Sequence, residues 1–320
     1  MRVLIVGGAG YVGAPLTYRL WEQGYDVTVF DVLNFGAESL VPLLGKERFK
    51  LLQGDIRDAA LLRQLVSGQD AVCLLAAIVG EPACNREPET ATSINLGGSL
   101  NVLMAAQEAK TKKFVFVSTC SNYGVVEGDA FVNEEALLQP ISTYAETKVQ
   151  VEKAVLAATN SVFHPTVLRL STAFGVSPRM RFDLMVSDFA MAAVRDRKIV
   201  VFGEQFWRPF VHVADIANAI QVVLEADSKI VSGQVFNIGD TKNNLQKLEL
   251  AQVVQRYVHG TTLETVQRNS DPRSYRVDFT KAKDVLGFQA AWSVEDGVRE
   301  VVDALKMGVW NSPQEARYFN

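Results

Sequence analysis

Cysteine is scarce in this chain. There are three in 320 residues, Cys73, Cys84 and Cys120, an odd count with no CxxC pair. That argues against a disulfide framework and a cysteine-ligated zinc site, and fits reduced thiols inside a cell. Histidine is equally sparse: His164, His212 and His259 lie far apart with no metal-ligand spacing, so no metal is expected. Long apolar runs are missing. No stretch approaches the roughly 18 residues needed to span a bilayer. The N-terminal Val3-Leu4-Ile5-Val6 is too short for a secretion signal and stops at glycines. A cytoplasmic protein with no membrane partner is expected. An excess of charge is absent too. The net charge is −4, with no block of five like charges, which leaves no basic stripe for nucleic acid.

What is present is apolar material for a large core, 48% of the residues. It comes in short runs that alternate with helix-length amphipathic segments. Expected strands are Val3–Val6, Val27–Phe30, Lys50–Gln53, Ala71–Leu75, Phe114–Val117 and Thr166–Leu170. Continuous apolarity suits strands buried on both faces of a parallel sheet. Expected helices are Gly13–Glu22, Ala59–Val66, Leu96–Ala109 and Tyr144–Ala158, with Gly24 capping the first. The alternation predicts an α/β, Rossmann-type doubly wound parallel sheet. After about residue 170 the rhythm loosens. Ser171–Gln205 reads as loop-rich, helix Val213–Glu225 and strand Val235–Ile238 as a return to the sheet, and the rest as mostly helical. The expected division is a dinucleotide-binding domain, 1–170 with 206–239 returning to it, and a smaller interlaced substrate-binding domain, 171–205 and 240–320.

Strand Val3–Val6 runs into Gly7-Gly8-Ala9-Gly10-Tyr11-Val12-Gly13. Glycines 7, 10 and 13 satisfy G-x-x-G-x-x-G, and 8, 10 and 13 satisfy G-x-G-x-x-G. Such a turn lets the backbone approach a pyrophosphate, and the helix that follows offers free N–H groups and a positive dipole end. A lone glycine motif is weak, but one after a strand and before a helix has the required context. Gly7, Gly10, Tyr11, Val12 and Gly13 are candidate cofactor contacts. Asp31 ends the second strand, 24 positions after Gly7, where an acid binds the adenosine ribose hydroxyls. It would repel a 2′-phosphate, and Val32-Leu33 supply no arginine, so NAD is the expected cofactor. Asp55-Ile56, after the third strand, can meet the adenine, although Asp55 could equally cap the next helix. Leu75, Ala76 and Ala77 supply small residues where the dinucleotide could lie close to the backbone.

Tyr144 and Lys148 stand at i and i+4, on one helix face. A nearby ammonium favours phenolate, so Lys148 is expected to lower the tyrosine pKa from its usual value of about 10. Such a tyrosine can take a proton from a sugar hydroxyl as hydride leaves for nicotinamide.

Here the chain resembles the extended short-chain dehydrogenase/reductases, in the NAD-dependent epimerase/dehydratase family that acts on nucleotide-sugars. The matching elements are GGAGYVG, Asp31, Gly54-Asp55, Leu75–Ala77, Asn95, STCSNYG, YAETK, LRLSTAFG at Leu168–Gly175 and RPFVHVAD at Arg208–Asp215. They follow the family order over nearly the whole chain. The resemblance implies Thr119 as the catalytic hydroxyl, five before Gly124, with Tyr144 as base and Lys148 on the nicotinamide ribose. Asn95 resembles the residue that orders water and helix geometry, and is counted with the cofactor residues. His212 resembles a structural histidine. Arg208 matches a phosphate-contacting arginine. Arg268 and Arg273 flank Ser270-Asp271-Pro272, which is similar to another phosphate-binding stretch, and guanidinium forks suit diphosphate oxygens. Thr172 stands where many relatives carry a substrate-contacting Asn. A homodimer through helices beside Asn95 and Tyr144 is implied too.

Cys120 and Ser121 are expected to line the substrate site, but they stand where sugar 4,6-dehydratases carry an Asp-Glu pair. That departure argues for C4 chemistry, an epimerase or a net 4-dehydrogenase, over 4,6-dehydration. No histidine partners Cys120, which argues against a nucleophile. A narrower resemblance, AAIVGEPAC at Ala76–Cys84 and FGVSPRMRFDL at Phe174–Leu184, is to a bacterial subgroup that includes a GDP-heptose 4-dehydrogenase. It adds Glu81, Arg179 and Arg181 as candidate sugar or phosphate contacts. The alternatives are a 4,6-dehydratase and a non-catalytic NAD-binding sensor or scaffold.

Overall fold

A strand with helices on both sides must be apolar at every position, and the first strand is. Val3, Leu4, Ile5 and Val6 are all fully buried. Val3 and Ile5 enter one hydrophobic core, and Leu4 and Val6 enter another on the opposite face. Val115 and Val117 alternate with Phe114 and Phe116 in the same way. Each such side chain contributes roughly 1.5–3 kcal/mol relative to exposure.

The computed structural model describes the chain except residues 127, 129 and 268–272. In chain order the strands are β1 (Arg2–Val6), β2 (Asp26–Asp31), β3 (Phe49–Gln53), β4 (Ala71–Leu74), β5 (Lys113–Thr119), β6 (Phe131–Val132), β7 (His164–Leu170), β8 (Thr172–Phe174), β9 (Lys198–Phe202), β10 (Trp207–His212), β11 (Gln234–Ile238), β12 (Asn244–Gln246), β13 (Thr262–Val266) and β14 (Arg276–Val277). Seven form one parallel sheet in the order β11-β7-β5-β4-β1-β2-β3. The winding reverses between β1 and β4. In doubly wound sheets the ligand crevice opens at that reversal, outside the carboxyl ends of the strands. Gly7, Asp31, Asp55, Leu75 and Thr119 all sit at or just past a carboxyl end.

A second lobe has its own core, with Phe174, Phe182 and Phe210 fully buried. It holds the sheet β12-β10-β8, the pair β13-β9 and helices Met185–Asp196, Lys247–Tyr257 and Val294–Lys306. Two expectations change here. The loop-rich segment 171–205 contains helix Met185–Asp196 and strand β9. Its apolar stripe Val186-Phe189-Ala190-Ala193 follows helical spacing, directly after the stretch that carries Pro178, Arg179 and Arg181. Within 206–239, β11 joins the main sheet, whereas β10 pairs with β8 and β12 in the smaller one. Among the described residues no helix is long and apolar enough to cross a membrane.

Candidate active site

The glycine turn is built by three different constraints. Gly7 has φ +90°, and a Cβ there would stand 2.5 Å from the Ala76 nitrogen. At Gly13 a Cβ would run into the carbonyl oxygen of Gly7. At Gly10 the nearest atom would be that same oxygen, 3.6 Å away, so Gly10 leaves open space. Helix Gly13–Glu22 has no acidic residue in its first turn, which leaves its positive end free for an anion. The Tyr11 side chain turns away from this space. Its hydroxyl donates to the Gly175 carbonyl at 2.7 Å, and Ser177 donates back to the Tyr11 carbonyl at 2.7 Å. Only the backbone of Tyr11 therefore belongs to the turn.

Asp31 accepts one bond on each oxygen, from Ala9 N at 3.0 Å and Leu33 N at 2.9 Å. A carboxylate has about four lone-pair sites, so capacity remains for ribose hydroxyls. Asp55 is gripped by the Arg57 guanidinium, at 3.0 Å from Nε to both oxygens. That cation holds its carboxyl below the ordinary carboxylate range. The cap of helix Ala59–Val66 is Asp58, which accepts from Leu61 N at 3.0 Å, so Asp55 is not the cap. Ile56 is buried against Gly98. Leu75 and Ala76 both donate to the Val6 carbonyl, at 2.8 and 2.9 Å, which brings Leu75–Ala77 beside the turn. Asn95 lies buried in a π-helical stretch, Ser93–Gly98. Its amide is occupied by the Ile78 peptide, accepting at 2.7 Å and donating at 2.9 Å, so it shapes the segment after β4.

Thr119 ends β5, and its Oγ1 accepts from Ser121 N at 3.1 Å, which leaves its own O–H to donate. Ser142 caps helix Thr143–Ala157 by accepting from Ala145 N at 3.3 Å, and so fixes the turn that carries Tyr144. The Lys148 ammonium lies 5.9 Å from the Tyr144 ring centroid and donates to the Val117 carbonyl at 2.8 Å.

Electrostatics correct one expectation. The Tyr144 phenol is pushed up, chiefly by burial, with Cys84 and Tyr275 adding and Arg181 and Arg273 opposing. The Lys148 ammonium, 5.9 Å from the ring centroid, does not bring it below the ordinary phenol range. That ammonium is itself lowered to about 8 by burial, against the pull of Glu152.

Cys120 is also corrected. It is fully buried and points beneath the loop, with Sγ donating to the Arg169 carbonyl at 3.3 Å, and burial pushes its thiol up. It lines no substrate surface and is no thiolate. Ser121 faces the C-terminal lobe, its hydroxyl 3.3 Å from that of Tyr275.

The arginines divide. Arg208 is buried, donates to the Trp207 carbonyl at 2.8 Å and to that of Arg273, and lies 5.7 Å from the Tyr275 ring centroid. Arg273 pairs with Glu81 at 3.7 Å, so two candidates from different lobes meet. Arg181 is locked to Asp183 at 2.9 and 2.6 Å. Arg179 lies over Phe35, 3.9 Å from its centroid, and donates to Asn320 at 2.8 Å. Its Nε is buried with no hydrogen-bond partner among the described residues. Burial and Arg181 lower it to about 10, against the pull of Asp183 and, less, of Asp31. Thr172 opens β8, where it pairs with Phe210. Arg268 lies outside the described residues.

Sequence reasoning missed Glu152, Arg169 and Tyr275. Glu152 was open to detection, since it repeats the i, i+4 spacing after Lys148. Arg169 interrupts the apolar run Thr166–Leu170, where a buried arginine requires a partner. Tyr275 carried no local signal. His212 is structural as expected. Nδ1 accepts from Ala214 N at 3.2 Å, Nε2 meets Glu300 at 3.0 Å, and the ring stacks on Trp292 at 4.1 Å.

The chain is similar to known proteins over most of their length. A UDP-glucose 4-epimerase of Lactobacillus helveticus is 30% identical over 90% of this chain and 92% of its own. A dTDP-glucose 4,6-dehydratase of Streptomyces niveus is 29% identical over 95% and 92%. Among solved structures, a UDP-glucose 4-epimerase from Thermotoga maritima, determined with UDP-glucose, superimposes with a TM-score of 0.86 at 26% identity, covering 97% of this chain and 100% of that one. The family profile matches residues 3–239, from the first strand to the end of the seven-stranded sheet, and with these relatives it establishes that the chain belongs to the NAD-dependent epimerase/dehydratase family.

Proposed function

We propose that this NAD-dependent enzyme transfers hydride at C4 of a nucleotide-sugar, as an epimerase or a net 4-dehydrogenase. The observation that carries the reading is the meeting of two elements: β5 ends in Thr119, and the helix that offers Tyr144 and Lys148 bonds that same strand end through Val117. NAD supplies the hydride acceptor. The C4 hydroxyl gives its proton to Tyr144 as the C4–H bond gives up its hydride, and Thr119 donates its O–H to the same oxygen. Lys148 would hold the nicotinamide ribose, and Asp31 the adenosine ribose. The peptide N–H groups of residues 10–12 would hold the diphosphate of the dinucleotide. Arg208 and Arg273 face the diphosphate of the sugar nucleotide.

Arg179 is better read as a cofactor residue than as a sugar contact. Its place over Phe35, just past the second strand that ends in Asp31, supports the dinucleotide side. The case against 4,6-dehydration is chemical. The two positions after Thr119 offer a buried thiol and a hydroxyl, neither of which replaces a carboxylate pair.

The test is Tyr144→Phe with a panel of nucleotide-sugars. Conversion is expected to fall by about 10²–10⁴-fold, with NAD affinity retained. Undiminished turnover overturns the reading. A wild-type product lighter by one water assigns dehydration instead, and bound NAD with no turnover of any sugar assigns a sensor.

A further inference from the structure

The last residues of β5 are held by one face of helix Thr143–Ala157. The Val117 carbonyl accepts from Lys148 at 2.8 Å, and the Ser118 hydroxyl donates to Oε1 of Glu152, one helical turn further on. Thr119 is the next residue. Glu152 is buried, and Arg169 of β7 clamps it, with Nε 3.2 Å from both carboxylate oxygens and Nη2 2.8 Å from Oε2. Asn122, beyond Thr119, donates to the same Oε1 at 2.7 Å and to the Ser118 hydroxyl at 3.1 Å. Arg169 also reaches the Tyr123 hydroxyl at 3.0 Å, which donates to Asn237 of β11 at 2.7 Å. Three residues of the loop that carries Thr119 therefore hang on one buried ion pair. Such a pair stabilises a fold little, or not at all, relative to apolar side chains of the same volume. Its position calls for another reason.

We propose that Glu152, clamped by Arg169, is a positioning residue for the reaction: it fixes the Ser118–Tyr123 loop so that Thr119 presents its hydroxyl to the reacting oxygen, and it sets a negative charge one helical turn from the Lys148 ammonium. This rests on the roles assigned above to Thr119 and Lys148. The other groups that face Lys148 are the Cys84 thiol from helix Glu81–Arg86, the Tyr144 and Phe116 rings and the Val117 carbonyl. Of these neighbours Glu152 has the largest charge effect, and it opposes the burial that lowers Lys148.

Glu152→Gln keeps the shape and an acceptor oxygen but removes the charge. The expected result is a kcat lower by about tenfold or more, within the span of general acid–base effects, with the nucleotide-sugar KM little changed. The alkaline limb of the pH–rate profile moves to lower pH. The Lys148 titration, followed by NMR of its ε carbon, moves down with it and needs no turnover. A purely structural role would lower the melting temperature and leave both pH readouts in place. Unchanged kcat and an unchanged Lys148 midpoint in folded Glu152→Gln overturn the proposal. Should that variant not fold, Ser118→Ala leaves the ion pair whole and cuts the two bonds of the Ser118 hydroxyl, to Glu152 and from Asn122. Lower kcat at a wild-type melting temperature supports the proposal, and unchanged kcat overturns it. If the wild type converts no nucleotide-sugar, the functional reading fails separately, and the Lys148 titration still reports on Glu152.

Discussion

Lys148 is a charge kept at a cost. Burial lowers its ammonium to about 8, from 10.5 for an ordinary lysine. Between those values the unfolded chain holds the proton and the folded chain has lost it. More protons on the unfolded state means that stability rises with pH, so this site stabilises progressively from about pH 8 to 10.5 and opposes folding below that window. Lys148→Met is expected to remove the rise, read as a flatter dependence of the urea midpoint on pH. The same variant, free of the buried charge, is expected to be the more stable protein at pH 7. An equal slope in both proteins would contradict the burial argument. Tyr144 bears on catalysis in the opposite sense. Burial pushes its phenol up, and the Arg181 and Arg273 charges work against that rise.

At the scale of elements, the glycine turn gives a prediction that separates folding from binding. Gly10→Ala meets only an oxygen at 3.6 Å and needs no positive φ. It is expected to melt with the wild type yet bind NAD at least about tenfold more weakly, since the methyl stands where a diphosphate approaches the helix end. Gly13→Ala drives a methyl into the Gly7 carbonyl. It is expected to lose about 2 kcal/mol or more of stability as well, as backbone clashes do. Melting curves with NAD titrations of both variants check this. The turn was legible in the sequence because its constraints are local: a strand, glycines at fixed spacing, a helix start. Asp31 was legible for the same reason. The Glu152–Arg169 pair was not, because it joins a helix to a strand across 17 positions and neither residue signals the other. Tyr275 and Asn320 reach the cleft from the C-terminal lobe, where short strands and turns carry little periodicity. Tyr144 was found from its spacing, but its electrostatics depended on burial and on Arg181 and Arg273, which spacing does not reveal.

The two lobes of the whole molecule are tied by polar contacts: Tyr11 to Gly175, Ser121 to Tyr275, Glu81 to Arg273, and Asp215 to the peptides of Ala291 and Trp292 at 2.9 and 3.1 Å. The candidate cofactor residues come from several strand ends of the large sheet, so a dinucleotide held by them would bind the folded state alone. At about 100 times its Kd it adds roughly 2.7 kcal/mol, and thermal melting is expected to rise by several degrees with NAD and by less with NADP, which Asp31 repels. Equal shifts would remove Asp31 as the discriminating group. The homodimer implied by the sequence resemblance is a proposal, and light scattering at twice the 35.2 kDa chain mass is the outcome expected of it. The topology bears on synthesis as well. Strand β11 is the outer neighbour of β7, yet more than sixty residues, with strands β8, β9 and β10 among them, separate the two along the chain. While a ribosome is still making that stretch, the free edge of β7 exposes unpaired N–H and C=O groups to any passing strand. The sheet of the nascent chain thus keeps an open edge late in synthesis, after the cofactor crevice is already encoded.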